Sequence, residues 1–176
     1  MRTITLDLFN ELLQQLPLRP RLKSELRFVS SIKHIREDEW SEFELIAIKD
    51  RTGNKGLLLI EGGDSLYALP YEISRNMTDV ATGRSKPVIC DFCRTWQNGG
   101  NVASITFRKD PRSLHSVSYL CCADLYCSSH VRTKTNASLR SRAQLREDLT
   151  NEGRVDRLRS NLQKFAERME LQPIET

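Results

Sequence analysis

The sequence predicts an α+β fold, with a small antiparallel sheet followed by a cysteine-rich half that ends in helices. Three observations carry this. Short apolar runs joined by glycine-rich turns fill residues 43–73. All five cysteines fall between positions 90 and 127. The tail from Asn151 to Leu171 repeats apolar residues at three- and four-residue steps, the signature of a one-sided helix.

The elements follow in order. Ile4, Leu6, Leu8, Phe9, Leu12, Leu13 and Leu16 form a broad apolar face that predicts a helix over 4–16, stopped at Pro17. Pro17 and Pro20 make a kinked connector. A second short helix is expected over 21–31, with Leu22, Leu26 and Val29 on one side, which makes 1–31 an N-terminal helical segment. Residues 43–49, Leu57 to Ile60, and Leu66 to Ile73 read as strands, separated by the turn residues Asp50 to Gly56 and Gly62-Gly63-Asp64. Residues 32–87 are thus a β-meander closing in a loop from 74 to 87. Residues 102–108 and Val117 to Leu120 are expected to pair across a connection around Pro111. A helix is expected from Ala123 to about Arg132. In the tail, Val155, Leu158, Leu162, Phe165, Ala166 and Met169 share a face, and Thr150 or Asn151 can cap its start. Residues 88–176 are the cysteine-bearing half, and 32–176 are expected to form one compact domain.

With 39% hydrophobic and 28% charged residues among 176, the chain suits a globular protein with a modest core. No apolar run approaches the roughly 18 residues needed to span a membrane. Met1 to Asp7 lacks the charged, apolar and small-residue order of a signal peptide, so a cytoplasmic location is expected. The net charge of +4 is mild but uneven. From Ser128 to Arg146 there are five bases (Arg132, Lys134, Arg140, Arg142, Arg146) and no acid. Arg19 to Arg36 carries six bases and Glu25, and the acids Glu37, Asp38, Glu39, Glu42 and Glu44 follow. Such blocks are solvated faces or surfaces for phosphate or an acidic protein. No Ser/His/Asp arrangement, phosphate loop or carboxylate pair stands out, so no enzyme is expected.

Cys90-Asp91-Phe92-Cys93 is a Cys-x-x-Cys knuckle, whose two thiolates can meet one zinc from a tight turn. Nothing before Cys90 supplies the βαβ pattern of a redox dithiol. The second half is Cys121-Cys122-Ala123-Asp124-Leu125-Tyr126-Cys127. Knuckle, hairpin, then two ligands at a helix start is the order of a treble-clef zinc finger. Four residues separate Cys122 from Cys127, which in one helix would put them about 140° apart. One metal can take both only if Cys122 ends a strand and Cys127 lies in the first helical turn, with Asp124 as N-cap. Cys121 competes with Cys122, because adjacent side chains in a strand face opposite ways. His115 and His130 are alternative ligands but read as surface residues. Four protein ligands would leave no open position, so the zinc would be structural.

The run from Tyr119 to Arg132, Tyr-Leu-Cys-Cys-Ala-Asp-Leu-Tyr-Cys-Ser-Ser-His-Val-Arg, closely resembles the second ligand segment of the elongation-factor-G-binding, fusidic-acid-resistance family. So do Leu145 to Arg154, then Arg157-Leu158, Asn161-Leu162 and Phe165, and the knuckle with Trp96 and Gly99-Gly100 after it. The resemblance is good over 88–169 and weaker but in order over 25–75. It implies one structural Zn2+ on Cys90, Cys93, Cys122 and Cys127, leaving Cys121 as the extra cysteine. It implies a bacterial, non-enzymatic partner of translation that binds elongation factor G and promotes its release from the ribosome, which underlies antibiotic resistance of the fusidic acid type. The short chain before Arg21 suggests a compact form without the larger helical bundle of resistance-type relatives. Trp96, Arg108, Lys109 and Arg132 are candidate partner contacts. An RNA- or ribosome-binding module is the alternative, motivated by the acid-free stretch 128–146.

Overall fold

Helix α1 (Leu6–Gln15) begins after Thr5, whose hydroxyl accepts a hydrogen bond from the Leu8 N–H. It ends where Leu16 turns extended ahead of Pro17. The computed structural model describes residues 1–63, 65–74, 86–108 and 116–174. The single helix expected over 21–31 is two, α2 (Pro20–Glu25) and α3 (Phe28–Ile32). Between them Leu26 is extended and bridges Asp50, and the Arg27 N–H donates to the Lys49 carbonyl at 2.9 Å. This pairing takes the backbone out of the helix and leaves Val29 65% exposed, not on an apolar face with Leu26.

The predicted meander is present as β1 (Leu45–Lys49), β2 (Lys55–Gly62) and β3 (Ser65–Ser74), antiparallel in sequence order. Ile46 lies opposite Leu59, and Ile48 opposite Leu57. Leu45, Ala47, Leu58 and Ile60, on the other face, are buried too. Burial on both faces is why these strands read as continuous apolar runs without alternation. Ile46, Ile48, Leu57 and Leu59 share a core with Ile4, Phe9, Leu12, Leu26, Phe28 and Trp40. Within it the Phe9 and Phe28 rings stack at 4.5 Å. The acidic run forms a short 3-10 helix, Glu37–Glu42, that buries Trp40 beneath its charges.

Two compact units form from interleaved segments: Met1–Glu72, Phe107–Val117 and Phe165–Thr176, and Ile73–Thr106 and Ser118–Lys164. The first holds α1 to α3 and the meander. There Phe107 meets Phe165 edge-on at 4.9 Å.

The second unit carries the cysteines. The short strands β4 (Val88–Ile89) and β5 (Trp96–Gln97) pair antiparallel around the knuckle, a hairpin the sequence pattern does not reveal. β6 (Val102–Phe107) and β7 (Val117–Cys122) are the expected hydrogen-bonded neighbours. Thr106 and Ser118 bring their hydroxyls to 2.9 Å across that pair. The loop over 74–87 and the connection around Pro111 fall largely outside the described residues. Helix α4 (Cys127–Val131) starts later than the expected Ala123. A further helix, α5 (Asn136–Leu145), lies where no helix is predicted, because it buries serines and exposes leucines. Helix α6 (Asn151–Arg168) is the predicted tail helix. Thr150 caps it by accepting from the Gly153 N–H at 3.2 Å, while Asn151 accepts from the Thr133 hydroxyl at 2.7 Å. Val155, Leu158 and Leu162 are its buried stripe in this unit.

Candidate metal centre

The knuckle is closed by its own backbone. The Arg94 N–H donates to the Cys90 carbonyl at 2.9 Å, and the Cys90 N–H donates to the Thr95 carbonyl at 3.0 Å. Arg94 takes a left-handed conformation (φ 59°) to complete this turn. Asp91 fastens the knuckle to β7 in both directions. Its N–H donates to the Leu120 carbonyl at 2.8 Å, and its carboxylate accepts from the Leu120 N–H at 2.7 Å. From α6, the Asn161 amide donates to the Phe92 carbonyl at 2.8 Å.

The second pair is placed as the spacing requires. Cys122 is the last residue of β7 and Cys127 the first of α4. Between them Leu125 adopts a left-handed conformation (φ 61°), and its N–H donates to the Cys122 carbonyl at 3.0 Å. That turn folds the four-residue spacer back so both sulfurs face one point. A left-handed leucine costs roughly 1 kcal/mol or more, and the buried Leu125 side chain offsets it. Asp124 does not cap the helix as expected. Its carboxylate accepts from the Tyr126 N–H at 3.0 Å, inside the turn, because α4 begins three residues beyond it.

Cys90, Cys93, Cys122 and Cys127 are fully buried, and their sulfurs all lie within 4.8 Å of one another. Cys90 and Cys127 sulfurs are 3.8 Å apart, and those of Cys93 and Cys122 are 3.6 Å apart. A tetrahedron with Zn–S bonds of about 2.3 Å has edges of about 3.8 Å. The cluster therefore fits zinc, and the distances are far too long for a disulfide. Cys121 is buried but stands outside the set of four, consistent with the alternation of a strand.

Metal-free, four adjacent thiols cannot all ionise. Burial resists ionisation of Cys90, but hydrogen bonds from Cys121, Cys122, Cys127 and Cys93 outweigh it and hold its pKa well below the usual thiol value. Cys127 is pushed well above that value by Cys122, Cys90 and Cys93 and then by burial. For Cys122, the Cys127 contact pulls downward and is overcome by Cys90, Cys93 and burial, so its pKa is well raised. Burial, then the neighbouring Cys90, keeps Cys121 a neutral thiol. A divalent cation removes this conflict, because each thiolate then faces a positive charge.

A polar layer surrounds the sulfurs. Cys93 Sγ lies 3.2 Å from the Thr95 hydroxyl. The Gln97 amide donates to Cys122 Sγ at 3.4 Å and lies 3.4 Å from His130 Nε2. His130 is 2% exposed, not the surface residue expected, because it stands one turn after Cys127 on the inward side of α4. Its Nδ1 is 2.7 Å from the Thr135 hydroxyl, which caps α5. Its Nε2 is 3.3 Å from Asp124, and with Cys122 these form a second cluster of ligand types sharing one sulfur with the first. Thr95, Gln97, Asp91 and Asn161 carry no local sequence signal of this role. They are ordinary polar residues until the hairpin and α6 bring them to the cysteines.

The candidate contact residues fall in different places. Trp96, half-buried in β5, and Arg132, whose guanidinium donates to the Ser128 carbonyl at 3.1 Å at the end of α4, belong to the cysteine-bearing unit. Arg108 belongs to the other unit, and Lys109 lies outside the described residues.

Buried thiols on a knuckle, a strand end and a helix start define a treble-clef zinc protein. The chain belongs to the FBP C-terminal treble-clef zinc-finger family, whose model matches residues 21–169. It takes one structural zinc at the four-cysteine cluster. No curated protein and no solved structure matches it. Among the described residues, no helix is long and apolar enough to cross a membrane.

Proposed function

We propose that this is a non-enzymatic, translation-associated zinc protein that binds elongation factor G in the bacterial cytoplasm and promotes its release from the ribosome. The observation that carries this reading is the family match over residues 21–169, which includes the Cys-Ala-Asp-Leu-Tyr-Cys segment at the metal centre. The closed four-thiolate site supports a scaffold role, since it leaves no coordination position for water or substrate. The work of such a protein is population shift. A partner that prefers the released or rearranged factor lowers the fraction held on the ribosome, with no bond made or broken. Trp96, Arg108, Lys109 and Arg132 are the first contacts to test.

Calorimetry of the zinc-loaded chain with purified elongation factor G tests the reading. Binding at about ten micromolar or tighter is expected. No heat and no co-elution at about 100 micromolar would sink it. A ribosome-release assay with and without fusidic acid then separates simple binding from rescue.

The acid-free stretch 128–146 supports a second reading, an RNA- or ribosome-binding module. Phosphate contacts would make such binding weaken steeply with salt, and a flat salt profile argues against it.

A further inference from the structure

Helix α5 is built inside out. Its serines Ser138 and Ser141 are completely buried, while Leu139 is 56% exposed and Leu145 37% exposed. Just beyond it Leu149 is 41% exposed. The serines have structural reasons to face inward. The Ser141 hydroxyl accepts from the Trp96 N–H at 2.8 Å, and Ser138 completes a capping box with Thr135. Their small side chains also let the helix lie close against β5. The leucines have no such reason to face outward, because a helix held only by the fold would place polar residues there.

The outward residues form one stripe. Leu139, Arg140 and Ala143 follow at helical spacing and are exposed, and Arg146, also exposed, is the left-handed residue that ends the helix. Arg142 donates to the Leu149 carbonyl at 3.3 Å, which holds Leu149 beside the end of the helix. Of the first acids in sequence after the stretch, Glu147 is 10% exposed and is drawn inward by Arg154 and Arg157, leaving Asp148 as the exposed acid at the edge. The stripe therefore combines apolar anchors with arginines, the composition of an interface centre.

We propose that the outward face of α5, centred on Leu139, Arg140 and Arg146, docks against an acidic protein surface that offers an apolar pocket. This rests on the reading of the chain as a partner of elongation factor G and adds a contact surface on α5 to the candidate residues named for it. Charge complementarity selects an acidic partner. The leucines select protein over RNA, since phosphate gains nothing from a leucine and α5 has no aromatic residue on which a base could stack.

The test is calorimetry of the full zinc-loaded chain with purified elongation factor G at two salt concentrations, comparing wild type with Leu139→Glu, Arg140→Glu and Val29→Glu. Leu139→Glu is expected to weaken binding about tenfold or more, and Arg140→Glu to weaken it and flatten the salt dependence. Val29→Glu, at an exposed apolar position on α3, is expected to bind as wild type does. Zinc content and melting temperature should be unchanged in all three, which separates a lost contact from a lost fold. If wild type binds and Leu139→Glu stays within about twofold, α5 is not the surface, although the proposed function stands. If wild type does not bind the factor at all, the proposed function fails and this assignment falls with it. Loss of ribosomal RNA binding in Leu139→Glu with factor binding intact overturns the assignment in favour of RNA.

Discussion

The side-chain amide of Gln97 donates to Cys122 Sγ at 3.4 Å, with both residues buried. An N–H aimed at a metal-bound thiolate spreads its negative charge and fixes its direction. Gln97→Leu should keep the volume and remove the donor. Zinc should then transfer to a chelator about ten times faster or more, measured with a colorimetric chelator, while one zinc per chain still binds at saturation. Transfer at the wild-type rate would mean that the amide has no hold on the metal.

The assignment of Cys122 over Cys121 is directly testable. Cys122→Ser should lose zinc and disorder the second unit, because structural zinc supplies folding free energy. Cys121→Ala should retain one zinc and protect its four remaining thiols from alkylation until the metal is chelated. A zinc-free Cys121→Ala protein would overturn the ligand set.

Zinc uptake should also release protons. The thiols of Cys127 and Cys122 lie well above the usual value in the metal-free cluster, so both are protonated at neutral pH and must ionise to bind. Affinity therefore rises with pH and falls as protons compete on acidification. Calorimetry in buffers of different ionisation enthalpy should report a net release of about two protons or more.

Two glycines should respond oppositely to alanine. A Cβ on Gly56 would lie 2.2 Å from the Ile48 carbonyl oxygen and 2.6 Å from the Tyr71 hydroxyl, so Gly56→Ala should cost about 3 kcal/mol or more. Gly153, in the first turn of α6, has its nearest neighbour, the Leu149 side chain, 3.5 Å from an added Cβ, an ordinary contact. Gly153→Ala should stabilise the chain by about 0.5–1 kcal/mol through helix propensity. Urea unfolding measures both.

Glu147 pairs with the fully buried Arg154 at 3.2 Å and also with Arg157. Burial works against the charge of Arg154, and Glu147 opposes that penalty. Removing the carboxylate alone, Glu147→Ala, should cost about 3 kcal/mol because a buried cation is left uncompensated. Adding Arg154→Met should recover much of the loss, and a double-mutant cycle in urea reads the difference. Additive losses would show that the pair is not coupled.

The α+β class, the three-strand meander, the final helix and the cysteine pairs of the metal site are all legible in the sequence. These are local patterns: apolar runs between turns, a 3.6-residue period, and thiols at knuckle spacing. Spacing alone does not separate Cys121 from Cys122; the family resemblance does. Contacts between residues far apart in the chain set the rest. Leu26 leaves the helical path because Asp50 and Lys49 pair with its segment. His130 is buried because α4 starts at Cys127, which the left-handed Leu125 makes geometrically possible. Helix α5 was illegible for the opposite reason. It buries serines and exposes leucines, so the hydrophobic pattern that marks most helices points the wrong way. Gln97 became an outer partner of Cys122 only once the knuckle hairpin carried it across to the strand end.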